Sequence, residues 1–332
     1  MESPHPSAPA PDTPEAPELT VTTGRLEPGL LRDLRALAEA AEAADGNPPF
    51  SDQTWVELRA AEDPERVRTV TAWLDHAPGR EGELAGAAVA VLPEPGAGPG
   101  APGVLELVVH PNCRCQGVAT AMARELSAQP APAPLQAWAH GSHAAAARLA
   151  EQFGYAPVRE LLRLRLTHHS PEDPVWREDV PAGVTIRAFV PGRDDAAWLA
   201  ANAAAFAHHP EQGSLDQADL DARKAEPWFD PAGFLLAVDG AGELLGFHWT
   251  KVHPGVDGHA PLGEVYVIGI VPSAQGRGLG RVLTVAGIRH LQRRGVDAVM
   301  LYVDADNTAA VELYRKLGFT RWDTDVMYAP SR

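Results

Sequence analysis

The stretch "SAQGRGLG" sets Gln275, Gly276, Gly278 and Gly280 at the head of an amphipathic run. Residues of this kind can bring several backbone N–H groups against a bulky anion, because no Cβ blocks the approach and a helix N-terminus behind them favours negative charge. Arg277 and Arg281 flank the glycines, so a phosphate group is the natural ligand. The two cysteines, Cys113 and Cys115, stand one residue apart in another turn before Gly117, with His110 nearby. Two thiols are too few for a disulfide framework, and the ligand count for a structural metal is not met, so no metal is expected.

These residues need elements to hold them. Strands are expected at "VTIRAF", "GFLLAVD", "LLGFHWTKV" and "GEVYVIGIV", the last running straight into the glycine turn. Leu279, Val282, Leu283 and Ala286 then repeat with helical spacing, "AVMLYVD" reads as a strand, and Ala310, Leu313, Tyr314 and Leu317 mark a second helix that Gly318 stops. The fold class is therefore α/β. Residues 1–18 hold six prolines and little to bury, which suits a disordered tail. Residues 169–183, polar and proline-bearing, suit a linker between a first domain at 19–168 and a second at 184–332.

The chain also resembles itself. "LELVVHPNCRCQGVATAM" (105–122) lies over "YVIGIVPSAQGRGLGRVL" (266–283) without a gap, and "GSHAAAARLAEQFGY" (141–155) lies over "ADNTAAVELYRKLGF" (305–319). Strand, turn and helix recur in the same order, which indicates a tandem duplication. In this alignment Glu264 falls opposite Gly103 and Tyr314 opposite Ala150, while Glu106, three positions along, is expected on the other sheet face.

The 332 residues carry 45% apolar side chains and a formal charge of −16, without a block of Lys and Arg. That charge opposes nucleic acid as a partner, and no apolar run is long enough to cross a bilayer. The N-terminal stretch lacks the marks of an export signal, so a cytoplasmic location without membrane contact is expected, and a monomer is compatible with the sequence.

A P-loop ending in Gly-Lys-Ser/Thr is absent, and a dinucleotide turn would follow the first strand of its unit rather than the fourth. The combination of "QGRGLG" with "DNTAAVELYRKLGF", present twice in outline, resembles the acetyl-CoA-dependent N-acetyltransferases of the GNAT superfamily. The resemblance implies two tandem GNAT domains, each a mixed central sheet flanked by helices, with acetyl-CoA as co-substrate. It implies cofactor contacts from Ile268, Gly269 and Ile270, from Gln275, Gly276, Arg277, Gly278, Leu279, Gly280 and Arg281, and from Asn307, Thr308, Ala309, Ala310, Val311 and Glu312. In the first half the matching positions are Leu107, Val108 and Val109 with Cys115, Gln116, Gly117, Val118, Ala119 and Thr120. The cysteines there replace basic residues common at this turn in the family.

On its residue type alone Tyr314 reads as a core aromatic. The resemblance makes it the acid that protonates the departing thiolate, a role that a reference pKa of about 10 supports at neutral pH. Glu264, at the start of the fourth strand of its half, is placed to accept a proton from the amine directly or through water, and a carboxylate so used calls for burial or a relay. The second domain is thus expected to catalyse and the first to hold acetyl-CoA or to serve as scaffold. "AFAHHPEQG", "FHWTKVHP" and "GEVYVIGI" further resemble the tandem GNAT enzymes that acetylate the cysteinyl amine of a cysteine–glucosamine–inositol conjugate. This implies substrate contacts from Asp52, Glu211, Lys251, Glu264 and Tyr302, with Asp52 standing where that group usually has a glutamate. Another small-amine or protein N-terminal acetyltransferase, and a silent acyl-CoA sensor, stay open as alternatives.

Overall fold

A computed structural model describes residues 16–331 apart from 62, 75–82, 94–97, 99, 131–132, 168–173, 209 and 256–259, and at Glu83, Pro210 and Glu211 it describes the backbone alone. The first half of the chain forms β1 (Glu18–Thr23), α1 (Pro28–Asp45), α2 (Asp52–Ala60), β2 (Val67–Leu74), β3 (Glu83–Val91), β4 (Gly103–Val109), α3 (Val118–Ala128), β5 (Leu135–Ala139), α4 (Ala144–Gln152) and β6 (Tyr155–Leu166). The second half forms β7 (Val184–Ala188), α5 (Asp195–Ala205), α6 (Pro210–Gly213), α7 (Gln217–Lys224), β8 (Phe234–Asp239), β9 (Leu244–His253), β10 (Leu262–Ile270), α8 (Leu279–Arg293), β11 (Ala298–Asp304), α9 (Thr308–Lys316) and β12 (Thr320–Pro330).

The chain divides into two compact units. One runs up to Glu160 and takes back the C-terminal stretch from Thr324; the other is Leu161–Asp323. This differs from the boundaries expected near 168 and 184, and strand pairing is the reason. Residues 161–166 of β6 pair with β11 in the second unit, and Val326–Tyr328 of β12 pair with β5 in the first, so each unit is completed by a strand from the end of the other half. The tail expected over 1–18 falls largely outside the described residues, and Glu18 already belongs to β1. Of the linker expected over 169–183, the described part buries Trp176 in the core of the second unit.

In the first unit the sheet order is β1-β2-β3-β4-β5-β12, antiparallel except for β4 and β5, which run parallel. β3, "ELAGAAVAV", is buried on both faces: Ala87 and Val89 meet α1 and α2 through Leu34 and Leu58, while Ala88 and Ala90 meet α3 through Val118 and Met122. Such a strand reads as a continuous run of small apolar residues because neither face is wet. Pro28 in the first turn of α1 and Gly46 at φ 74° after its end set that helix's limits.

In the second unit the order is β6-β11-β10-β9-β8-β7, with β10 and β11 parallel and the other pairs antiparallel. Trp198 of α5 packs edge-on against Phe234, Phe247 and Trp249, which cover one face of the sheet. On the other face, Val285, Ile288 and Leu291 of α8 pack with Val265, Val299 and Leu301. Among the described residues no helix is long and apolar enough to cross a membrane.

Candidate active site

The β10–β11 ladder covers three pairs, Leu262 with Ala298, Gly263 with Val299 and Glu264 with Met300. Beyond Glu264 the ladder stops, while β10 runs on to Ile270 and β11 to Asp304. A bulge between Val265 and Val267 bends β10 against β9 at this point. The parting strands expose a backbone edge that an extended ligand can join as a further strand would. Ile268, Gly269 and Ile270 lie along that edge.

At the end of the edge stands the glycine turn. Gly276 and Gly278 have φ of 75° and 79°, and a Cβ at either would meet nothing within 4 Å, so backbone conformation rather than packing requires glycine. Gly278 caps α8 without a side-chain hydrogen bond, which leaves the first-turn N–H groups of Leu279, Gly280 and Arg281 directed at the approach. A Cβ at Gly280 would lie 3.8 Å from Leu313 Cδ2 and 4.0 Å from Ile270 Cγ1, so α8, α9 and the end of β10 converge here. Gln275 donates its amide to the carbonyl of Ile270 at 3.4 Å. Arg281, expected to face an anion, instead donates to the carbonyls of Val175 and Arg177 at 2.9 and 2.6 Å, because a guanidinium beside that segment satisfies its otherwise open backbone. Asn307 caps α9 through its side-chain oxygen, which accepts from Ala310 N at 3.2 Å, and Glu312 is held by Arg315.

Tyr314 lies in the core cluster of the second unit, edge-on to Phe319 at 5.6 Å. Burial holds its phenol well above the usual tyrosine range.

Glu264 sits opposite Lys251, on the sheet face covered by α5 to α7. One carboxylate oxygen is 2.7 Å from His253 Nε2, a contact that sequence reasoning missed although His253 is two residues beyond Lys251 on the same strand and so shares its face. Lys251 Nζ stands 5.0 Å from the Trp228 ring centre and 5.4 Å from that of Tyr266, whose hydroxyl accepts from Arg223. Tyr302 lies two residues beyond Met300, the partner of Glu264, and shares its face, with Arg163 of β6 opposite. His248 of "FHWTKVHP" belongs to the α8 face, where its Nδ1 donates to Leu283 O at 2.8 Å and burial pushes its pKa down to about 4. Glu211 lies in α6, whose backbone is held by Asn202 donating to Gln212 O at 2.6 Å. Asp52 is the first residue of α2 and belongs to the first unit, whereas Glu211, Lys251, Glu264 and Tyr302 belong to the second.

The first unit has a cavity of about 850 Å³ along β4, α3, β5 and α4. All of its expected cofactor positions except Gln116 line it. Gly117 repeats the geometry of Gly278 with φ 82°, and Cys115 takes the positive φ of Gly276. Gly103 leaves no room for a side chain, since a Cβ would stand 2.7 Å from Val91 O.

Glu106 differs from expectation. The β4–β5 ladder ends at Glu106 with Trp138, as the β10–β11 ladder ends at Glu264, and Glu106 points to the α1–α2 face, the counterpart of the face that carries Glu264. The ungapped alignment put it on the opposite face because it took no account of the bulge at Tyr266, which reverses the alternation along β10. Its carboxylate accepts from Ser51 N at 3.1 Å and contacts His140 Nε2 at 2.7 Å; His140 Nδ1 in turn lies 3.3 Å from Asp325. Burial alone would lower the His140 pKa, but the hydrogen bonds to Asp325 and Glu106 outweigh it and raise the value to about 9. Among the described residues no cluster of three or more His, Cys, Asp or Glu could hold a metal.

The model of the acetyltransferase (GNAT) family matches residues 33–155 and again 200–319, so each half matches it separately. The mycothiol acetyltransferase of Arthrobacter sp. (strain FB24) is 55% identical over 97% of this chain and 98% of its own length. The chain belongs to the mycothiol acetyltransferase group of the GNAT family. Another member of the group, from Paenarthrobacter aurescens (strain TC1), is 56% identical over 96% of this chain and 97% of its own. Among solved structures, a GCN5-related N-acetyltransferase from Sphaerobacter thermophilus has a TM-score of 0.65 at 26% identity, covering 96% of both chains. A tandem GNAT protein from the clavulanic acid biosynthesis pathway has a TM-score of 0.67 at 21% identity, covering 95% of this chain and 99% of its own, and shares the fold. The two units are therefore tandem GNAT domains, as the repeat implied.

Proposed function

We propose that this GNAT enzyme transfers the acetyl group of acetyl-CoA to the cysteinyl amine of the cysteine–glucosamine–inositol conjugate, giving mycothiol and CoA. The observation that carries the chemistry is the position of Glu264, the last paired residue before β10 and β11 part, with Lys251, His253 and Tyr302 on the same face. A thioester lying along the opened edge of β10 would present its carbonyl beside that carboxylate. The N–H groups of the α8 turn suit the pyrophosphate, and backbone N–H groups of β10 past Glu264 suit the developing oxyanion.

The amine attacks the thioester directly within a ternary complex. Glu264 removes a proton from nitrogen, the C–N bond forms as the C–S bond breaks, and Tyr314 protonates the CoA thiolate. Burial keeps the Tyr314 phenol protonated at neutral pH, so a proton is available for the thiolate, while the same raised pKa makes it a weaker donor than a free tyrosine. No cysteine takes part: Cys113 and Cys115 both belong to the first unit. A conjugate rich in hydroxyls with one amine is matched by Glu211, Lys251 and Tyr302, which offer charge-assisted and hydroxyl hydrogen bonds.

In the first unit the cavity suits acetyl-CoA through Leu107 to Val109 and the turn from Cys115 to Thr120. This unit does not catalyse, since Ala150 replaces the tyrosine and Glu106 is engaged by Ser51 and His140.

The test is mass detection of mycothiol with the purified chain, acetyl-CoA and the conjugate. Glu264→Gln should lower kcat by about 10²- to 10⁴-fold and Tyr314→Phe should also lower it. Undiminished turnover in both variants, parallel lines when both substrates are varied, or preferred acetylation of peptides would each overturn the proposal.

A further inference from the structure

We infer that His253 is the positioning residue through which Glu264 returns its proton to water. The inference rests on the assignment of Glu264 as base. Starting from the ammonium form, two protons leave the acceptor nitrogen during the reaction. One is balanced by the proton that ends on the CoA thiol; the other must reach solvent in every turnover. Glu264 cannot release it easily by itself, because its side chain is only 10% exposed. His253 Nε2 stands 2.7 Å from Glu264 Oε2 and its side chain is 35% exposed, so the imidazole spans the distance between the buried carboxylate and the surface.

Imidazole is the side chain best suited to taking a proton on one nitrogen and giving one from the other near neutral pH. The proton enters at Nε2 from Glu264 and leaves at Nδ1 to water, with no change in redox state. Among the described residues, the charged and titratable groups on this face are Lys251, directly opposite Glu264 on β9, Tyr302 on β11, and Arg223 of α7, which donates to Tyr266. The first unit shows the contrast. There His140 makes the same 2.7 Å contact with Glu106, but its other nitrogen faces Asp325, so the imidazole is held between two carboxylates rather than opened to water.

A histidine that merely orients Glu264 would be replaced by glutamine, whose amide can donate to the same oxygen. A relay would not. The experiment therefore measures kcat and acceptor KM across pH for the wild type, His253→Gln and His253→Ala, with Glu264→Gln alongside, at low buffer concentration and with added imidazole. We expect kcat to fall about tenfold or more in both His253 variants with little change in acceptor KM. We also expect the acid limb of the kcat profile to move, and imidazole to restore rate to His253→Ala. Wild-type kcat and an unmoved profile in His253→Gln, while Glu264→Gln is inactive, would overturn the relay and leave the base standing. An active Glu264→Gln would instead remove the base, and the relay with it.

Discussion

The bridge in the first unit makes a quantitative prediction. His140 joins Glu106 on β4 to Asp325 on β12, residues far apart in the sequence, and its pKa rises from 6.5 to about 9 on folding. At 1.36 kcal/mol per pH unit, a rise of this size corresponds to about 3 kcal/mol of stability. The folded pKa lies above the unfolded one, so this contribution is fully present below about pH 6.5 and is lost as pH climbs through about 9. Substituting His140→Gln removes the titrating group, so the stability gap between wild type and variant should be largest near pH 6 and shrink by about 3 kcal/mol by pH 9.5. Urea unfolding, read by pulsed hydrogen exchange in peptides covering β4 and β5, follows the first unit separately from the second. A gap that stays flat across this window would refute the reasoning, since it would mean that the imidazole carries no extra proton in the folded state.

Two further outcomes concern the second unit. Gly278→Ala should cost about 1–2 kcal/mol, because φ 79° is costly for any residue with a Cβ, and should raise the KM for acetyl-CoA by disturbing the uncapped start of α8; differential scanning calorimetry and steady-state kinetics check both. Because burial holds the Tyr314 phenol above its usual range, kcat should show no descending limb up to about pH 10 that is absent in Tyr314→Phe. A stopped-assay pH profile of the two proteins decides that point.

Much of the fold was legible in the sequence because its signals are local. The glycine turn announces itself through the glycines at 276 and 278, which the structure holds at positive φ, and helices α8 and α9 through their apolar spacing. The exchange of terminal strands was not legible, since β6 joins β11 and β12 joins β5 through pairings that no local pattern encodes. Arg281 beside the glycine turn reads as an anion ligand, yet the carbonyls it serves, Val175 and Arg177, come from a segment whose path is set by the burial of Trp176. His253 could have been found by alternation: residues 251 and 253 share a face with the residue opposite Lys251, which is Glu264.

If catalysis belongs to the second unit, as proposed, the two ladder-end glutamates differ in the access they offer a substrate. A general base needs a lone pair that the substrate can reach. Glu106 is 1% exposed, both of its oxygens accept from Ser51 N, and one also faces His140. Reaching it would mean breaking contacts that a buried carboxylate cannot lose without a large desolvation cost. The Glu264 side chain is 10% exposed, and its Oε2 lies 2.7 Å from His253 Nε2, on an imidazole that is itself 35% exposed. A single bulge contributes to the difference: the extra residue at Tyr266 lets Glu264 stand six residues before the end of β10 and still share the face that Glu106 reaches from three residues before the end of β4. Converting the first unit to a catalyst would therefore take more than a tyrosine at Ala150; it would require freeing Glu106 from Ser51, the residue that caps α2, and from His140, which also contacts Asp325 of β12.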